Sequence, residues 1–257
     1  GDFARTIEIA TMCGWDTDCN AGNVGSIVGV LAGLDGIAEN YRKPINDAIV
    51  TSSVAGYLNS VDLPTLAKQL ALIGYRLHDQ QPSNALVESY KERDIYFDFG
   101  LPGATHGFRT SYPFKTFLRH GHQGYKTPGC LEIFIDRMFE GDDSTVYYQS
   151  FYRRKQFMDE KYAPVFSPTA YSGQTVSMQL KAEQTRGEPI VITPYIKTTF
   201  SEAQMYLGEP ITLTSDWQRL EFVIPDTNGD YIEEVGIHIK SPSPNTYRAF
   251  GKIFLDE

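Results

Sequence analysis

CGWDTDCNAGNVGSIVGVLAG, residues 13–33, sets Asp16 and Asp18 two positions apart, just before a run rich in glycine and almost free of charge. The segment from Asn20 to Leu34 is long and uninterrupted enough to predict a helix. Glycine inside a helix costs up to about 1 kcal/mol relative to alanine. Gly22, Gly25, Gly29 and Gly33 nevertheless recur at helical spacing. The expectation is close helix–helix packing, because a missing side chain lets a neighbouring chain approach. The same spacing occurs in membrane helices, but the apolar stretch Val24 to Leu34 is too short to span a bilayer.

On a regular helix, residues two apart project to nearly opposite sides. Asp16 and Asp18 therefore converge only in a loop or at a helix N-cap. Gly14 eases a turn there, and Asp18 or Asn20 is the expected cap. Two carboxylates brought together repel unless a proton or cation lies between them. An all-oxygen pair suits Mg²⁺ or a similar hard cation. The plainer alternative is a cap with a second acid favoured by the helix dipole.

Working outward, Asp2 is placed to cap a helix in which Phe3, Ile7 and Ala10 share a face. Asp62 caps a third helix, Leu63 to about His78, with Leu66, Leu70, Ile73 and Leu77 on one stripe. Residues 1–85 thus read as a helical domain, with the polar HDQQPSNA (78–85) as linker. From about Tyr90 the period becomes two. Ile95, Phe97 and Phe99 alternate with Tyr96 and Asp98, Leu131, Ile133 and Ile135 with Glu132, Phe134 and Asp136, and Val176, Met178 and Leu180 with Ser177, Gln179 and Lys181. Leu220, Phe222 and Ile224 follow Trp217, Val235, Ile237 and Ile239 follow Tyr231, and Ile253 and Leu255 close the chain. Turn signals separate the runs at 141–144, 172–173, 186–188, 228–230 and 242–245. The predicted fold class is α+β and multidomain: an all-helical part, then an antiparallel β-sandwich of jelly-roll type over residues 90–257. Three helices supply few partners for a glycine-rich helix. Either the β half covers it, or part of the helical domain lies outside this sequence.

Of the 257 residues, 41% are hydrophobic and 21% charged, a globular composition. The net charge of −9, with no Lys/Arg-rich run, gives no footprint for nucleic acid or an anionic membrane. Three cysteines, Cys13, Cys19 and Cys130, make neither a disulfide framework nor a zinc spacing. The first residues, GDFARTIEIA, do not read as a signal peptide. There is no GxSxG, P-loop or HExxH motif.

The stretch from Gly14 onward resembles the metal motif of the ADP-ribosylglycohydrolase family, G-x-D-T-D-x-x-A-x-x-x-G-x-x-x-G, through Gly14, Asp16, Thr17, Asp18, Ala21, Gly25 and Gly29. The preceding helix and IAENYRKPINDAI (37–49) extend the resemblance over residues 1 to about 80. It implies a compact helical domain holding two Mg²⁺ ions that bind the ribose diol and help cleave the glycosidic bond at the anomeric carbon. Asp16 and Asp18 would be ligands, Asp18 bridging, with Thr17 shaping the turn. The next position usually carries a hydroxyl ligand; here it is Cys19, a poor partner for a hard cation, and Asn20 or water would substitute. Ile37, Ala38 and Tyr41 stand where the family often has I-P-x-x-W. The family's other ligands, a hydroxyl–Asp–Asp triplet, and its acidic catalytic residue lie upstream of the matched region, so no catalytic residue is assigned in this chain. The expectation is the C-terminal part of a Mg²⁺-dependent glycohydrolase acting on an ADP-ribosyl, nucleoside or related glycoside, completed by an N-terminal helical segment or by another chain. The alternative is a non-catalytic carbohydrate-binding or interaction module with a degenerate helical remnant.

PVFSPTAYSGQTVSMQLKAE (164–183), SDWQRLEFVIPD (215–226), GIHIKS (236–241) and GKIFLDE (251–257) resemble jelly-roll carbohydrate-binding modules of the galactose-binding-like fold. That resemblance implies a carbohydrate ligand stacked on exposed aromatics, with Tyr147, Phe151, Tyr171, Tyr195, Tyr206 and Tyr231 as candidates and Trp217 in the core. It also implies a structural Ca²⁺ with Asp256 as ligand, against a plain solvated acid. The same fold serves equally as a rigid spacer or lid. His120 and His122 would share a strand face as metal ligands, or make ordinary loop hydrogen bonds. The GDDS turn at 141–144 would hold Ca²⁺, or be explained by turn chemistry alone.

Overall fold

Asp2 starts the first helix as its sequence predicts: its carboxylate accepts the Arg5 N–H at 3.0 Å, and α1 runs Phe3–Met12. The structure, a computed structural model, describes residues 2–92, 94–139, 141–156, 164–187, 189–200, 204–240 and 249–256. It divides into two compact units, Gly1–Asn46 and Asp47–Glu257.

In the first unit, α2 (Thr17–Ala32) packs on α1, followed by the short α3 (Glu39–Arg42). A Cβ on Gly25 would lie 3.2 Å from Ile7 Cδ1, tighter than ordinary contact, and one on Gly29 would lie 3.7 Å from Phe3 and Ile37. Close packing therefore explains Gly25 and, more loosely, Gly29. Gly22 and Gly33 do not fit that expectation. Both face open space, and Gly33 ends α2 at φ +65°, a conformation that favours glycine. Phe3 meets Tyr41 edge-on at 5.4 Å. Yet α1, α2 and α3 contain no buried residue, and Ile27, Val30 and Leu31 of α2 are 71%, 88% and 74% exposed.

The second unit begins with a ladder where the sequence reads as helical: β1 (Ala48–Val50) pairs antiparallel with β2 (Ser60–Asp62). Asp62 then caps α4 (Leu63–Leu77), its carboxylate accepting the Thr65 N–H at 2.9 Å. The predicted stripe of α4 is not its buried face: Leu70, Ile73 and Leu77 are exposed, and Pro64 and Lys68 are buried instead. The short α5 (Asn84–Glu88), capped by Ser83, occupies the end of the predicted linker.

Ile95–Asp98 joins no ladder, with Phe99 beginning a turn, against the expected strand. Its backbone is served by side chains. The Asp98 carbonyl accepts from His106 Nε2 at 2.8 Å and from Lys68 Nζ at 3.4 Å. This satisfies the buried polar groups without a partner strand. Phe97 and Phe99 still pack into the core. His106 Nδ1 lies 2.7 Å from Asp62 Oδ1, so both nitrogens of a fully buried ring face acceptors. Lys68 Nζ, 3.7 Å from Asp98 Oδ2, completes a buried network of two acids and two bases.

The remaining strands are β3 (Arg109–Thr110), β4 (Thr116–Gly121), β5 (Cys130–Met138), β6 (Asp143–Gln149), β7 (Thr175–Gly187), β8 (Val191–Thr198), β9 (Met205–Leu207), β10 (Ile211–Thr212), β11 (Gln218–Val223), β12 (Ile232–Lys240) and β13 (Ala249–Asp256). One sheet runs β11-β7-β13-β5-β4. The other runs β10-β8-β12-β6-β3, with β9 on β8, and the ladders are antiparallel throughout. Leu131, Ile133, Leu180 and Ile253 from the first sheet and Val146, Ile192 and Ile237 from the second share one core cluster, so the fold is an antiparallel β-sandwich. The turns at 141–144, 172–173 and 228–230 are present, with Gly141, Gly173, Asn228 and Gly229 at positive φ. Residue 188 of the third predicted turn and all of 242–245 lie outside the described residues. Among the described residues, no helix is long and apolar enough to cross a membrane.

Candidate functional site

Asp16 takes φ +46° and ψ +49°, left-handed backbone that Asp tolerates better than most residues. It is the N-cap of α2 by position, yet its side chain makes no capping bond. The expected cap, Asp18 or Asn20, is thus two or four residues late: Asp18 is the second helical residue and Asn20 the fourth. Asn20 Nδ2 instead donates to the Trp15 carbonyl at 2.9 Å, tying the turn back onto the helix. Because Asp16 sits outside the helix, it escapes the helical divergence. Asp16, Asp18 and Cys19 each present a ligand atom, all within 4.8 Å of one another and all exposed. Two carboxylates are oxygen donors of the kind a hard divalent cation takes; the thiol of Cys19 is not. Thr17 opens α2 between the two acids.

The sandwich holds a second assembly, on the face of the β8-β12-β6-β3 sheet away from the core. Arg109, Tyr147, Gly236 and Tyr195 lie in one register row across β3, β6, β12 and β8. Gln149, Glu234 and Lys197 form the next row. A Cβ on Gly236 would collide with the Val146 carbonyl and the Tyr147 Cα, so the position between the two tyrosines holds no side chain. Glu234 anchors the group: its two oxygens accept from Tyr195 Oη and from Lys197 Nζ, each at 2.8 Å. Arg109 donates to Gln149 Oε1 at 2.8 Å and to Tyr152 Oη at 2.9 Å. Burial pushes the Tyr147 and Tyr195 phenols up, and the charge of Glu234 adds to it, so both stay neutral donors. The sequence reading named Tyr147 and Tyr195 but missed Arg109, Gln149, Lys197 and Glu234. No local motif joins residues so far apart; only strand register does.

Other candidates fall elsewhere. Of the aromatics expected to be exposed for stacking, Tyr195 and Phe151 are buried, Tyr147 and Tyr206 half-buried, and only Tyr171 and Tyr231 exposed. Trp217 is half-buried rather than core, edge-on to Tyr125 at 5.8 Å with Lys181 Nζ 5.0 Å from its ring. Asp256 is buried, not solvated. Its Oδ2 accepts the Tyr125 N–H at 2.5 Å and the Lys126 N–H at 3.4 Å, which anchors that loop to β13. His120 and His122 rings lie 5.2 Å apart, and His120 Nε2 is 2.9 Å from the Phe99 carbonyl. Asp142 accepts the Phe139 N–H at 2.8 Å, ordinary turn chemistry. Cys130 is buried, and burial pushes its thiol up to about 11.

The class these elements define is a helical unit carrying an acidic cluster, followed by an antiparallel β-sandwich. Residues 1–80 match the family model described as ADP-ribosylglycohydrolase. No curated protein matches the chain significantly. Among solved structures, the chain is similar to a carbohydrate-binding module of the β-sandwich superfamily, at 15% identity and TM-score 0.43, covering 63% of this chain and 60% of that one. It is also similar to the CBM22-1 xylan-binding domain from Paenibacillus barcinonensis Xyn10C, at 10% identity and TM-score 0.39, covering 63% and 89%. A third is the C-terminal family 22 carbohydrate binding module of Clostridium thermocellum Xyn10B, at 11% identity and TM-score 0.38, covering 65% and 92%.

Proposed function

We propose that the helical unit contributes Asp16 and Asp18 to a Mg²⁺-dependent glycohydrolase centre. That centre would hydrolyse the glycosidic bond of an ADP-ribosyl, nucleoside or related glycoside, and the sandwich would hold carbohydrate. The observation that carries the first part is the convergence of Asp16 and Asp18 through the left-handed turn at Asp16, within a segment that matches the family model. Bound there, Mg²⁺ would supply Lewis-acid polarisation of the ribose hydroxyls. Asp16 and Asp18 would hold and orient the cation through carboxylate oxygens, and the Asn20–Trp15 bond would keep their turn in place. Two carboxylates and a thiol make a weak site for a hard ion. The remaining oxygen ligands and the catalytic acid would come from a further helical segment or another chain. The test is release of ADP-ribose from an ADP-ribosylated peptide by the full gene product. Activity that needs Mg²⁺ and falls at least about 100-fold in Asp18→Asn supports the reading; activity unchanged by chelator and by Asp18→Asn overturns it.

A second reading is favoured by the sheet face. Half-buried Arg109 and Tyr147 offer a guanidinium and an aromatic ring from one row, beside the buried Tyr195–Glu234 pair that spans this row and the next, groups of the kind sugar recognition uses. On this reading, the sandwich binds carbohydrate and the helical unit is a non-catalytic remnant. Saccharide binding by a chain that neither binds Mg²⁺ nor hydrolyses any glycoside would decide for it.

A further inference from the structure

Past the end of β8, an open cleft of about 480 Å³ is lined by Phe151, Tyr152, Val165, Phe166, Thr199 and Phe200, with Arg153 and Arg154 at its rim. That volume falls within the range of small-molecule sites. The lining is mostly apolar, but Thr199 is the exception that matters. It is 3% exposed, and among the described residues its Oγ1 is the one buried side-chain atom with no hydrogen-bond partner. Its own N–H is already used, donating to the Tyr231 carbonyl at 3.0 Å. A buried hydroxyl left unpaired is costly and uncommon, and it calls for a partner from outside the chain.

The aromatic side of the cleft is also built. Phe200 is 60% exposed, a large ring held out to solvent. It is not loose: its centroid lies 5.3 Å from Tyr231 and 6.2 Å from buried Phe151, and Phe151 meets Tyr231 edge-on at 5.1 Å. Arg153 is steadied by Glu233 at 3.4 Å. The cleft therefore offers a braced aromatic platform, one hydroxyl with free hydrogen-bonding capacity, and guanidinium donors at the rim.

We infer that this cleft is a saccharide subsite distinct from the sheet face. The apolar face of a pyranose ring stacks on Phe200, one sugar hydroxyl pairs with Thr199 Oγ1, and Arg153 and Arg154 donate to the remaining hydroxyls or to a uronate carboxylate. The inference rests on the reading of the sandwich as a carbohydrate binder. A lipid tail fits the cleft less well, because it brings no hydrogen-bonding group to Thr199 Oγ1 while covering one ring face.

The experiment is isothermal titration of the full chain with glucose and galacturonate oligosaccharides of four to six units. Wild type is compared with Phe200→Ala, Thr199→Val and, on the sheet face, Glu234→Gln. The expected result is saccharide binding weakened at least about 10-fold in both Phe200→Ala and Thr199→Val. Thr199→Val would also raise Tm by a few degrees, since it removes an unpaired buried hydroxyl at nearly constant volume. That rise separates loss of a contact from loss of fold. Wild-type binding that both cleft variants retain, and Glu234→Gln abolishes, overturns the cleft subsite and leaves the sandwich reading standing. Wild type binding no oligosaccharide of either series overturns both.

Discussion

In the sandwich, Leu131, Ile133, Ile237 and Ile253 are fully covered, whereas in α2 Ile27, Val30 and Leu31 stand 71%, 88% and 74% exposed. The sandwich buries its apolar residues by its own register, with both sheets feeding one cluster. Within the helical unit, α2 meets Ile7, Phe3 and Ile37 through close approaches at Gly25 and Gly29, and Ile27, Val30 and Leu31 stay exposed. The difference separates two sources of order. At about 25 cal/mol per Å² of apolar surface, the sandwich core holds itself together. The helical unit instead has its most specific local geometry at the turn that brings Asp16 and Asp18 together.

That contrast has measurable edges. The largest expected effect is at His106. His106→Ala leaves the Asp62 carboxylate buried without its partner, at a cost of about 3–5 kcal/mol. Urea unfolding followed through Trp217, in a Trp15→Phe background, measures it. A loss under about 1 kcal/mol would mean the network does not hold α4 to the sandwich.

Next is Ile133→Ala at the centre of the core, expected to cost about 2–5 kcal/mol in the same assay. An acid limb should follow from Asp62. Burial alone would raise its carboxyl, but the His106 hydrogen bond and charge, with the Thr65 N–H, outweigh burial and hold it below its ordinary 3.8. A depressed folded value means the stabilisation is present above about pH 4 and is lost as pH falls through that lower value. Stability measured between pH 6 and 2 should therefore drop more steeply in wild type than in Asp62→Asn. The smallest effect is Val30→Ala in α2, within about 0.5 kcal/mol because the side chain is 88% exposed. A cost near 2 kcal/mol would break the comparison by showing that α2 is covered in solution.

These outcomes also mark what the sequence made legible. The caps at Asp2 and Asp62 and most sandwich strands follow from local patterns, whereas the start of α2 at Thr17 does not. The convergence of Asp16 and Asp18 was conditional on one of them leaving the helix, and the left-handed Asp16 meets that condition. Ile95–Phe99 reads as a strand because alternation reports burial, not who supplies the hydrogen bonds; here Lys68 and His106 do. The stripe of α4 reads as a core face because amphipathy shows that a face is apolar without showing what lies opposite. Arg109, Gln149 and Glu234 were invisible because their neighbourhood exists only once β3, β6 and β12 are in register.

The central claim, that Asp16 and Asp18 form a divalent-cation site, is tested most directly by adding substoichiometric Mn²⁺ to the labelled chain and reading amide NMR broadening. The account predicts selective broadening of residues around 14–20, reversed by excess Mg²⁺ and absent in Asp18→Asn. Broadening spread over all surface acids alike, or unchanged in Asp18→Asn, would contradict it.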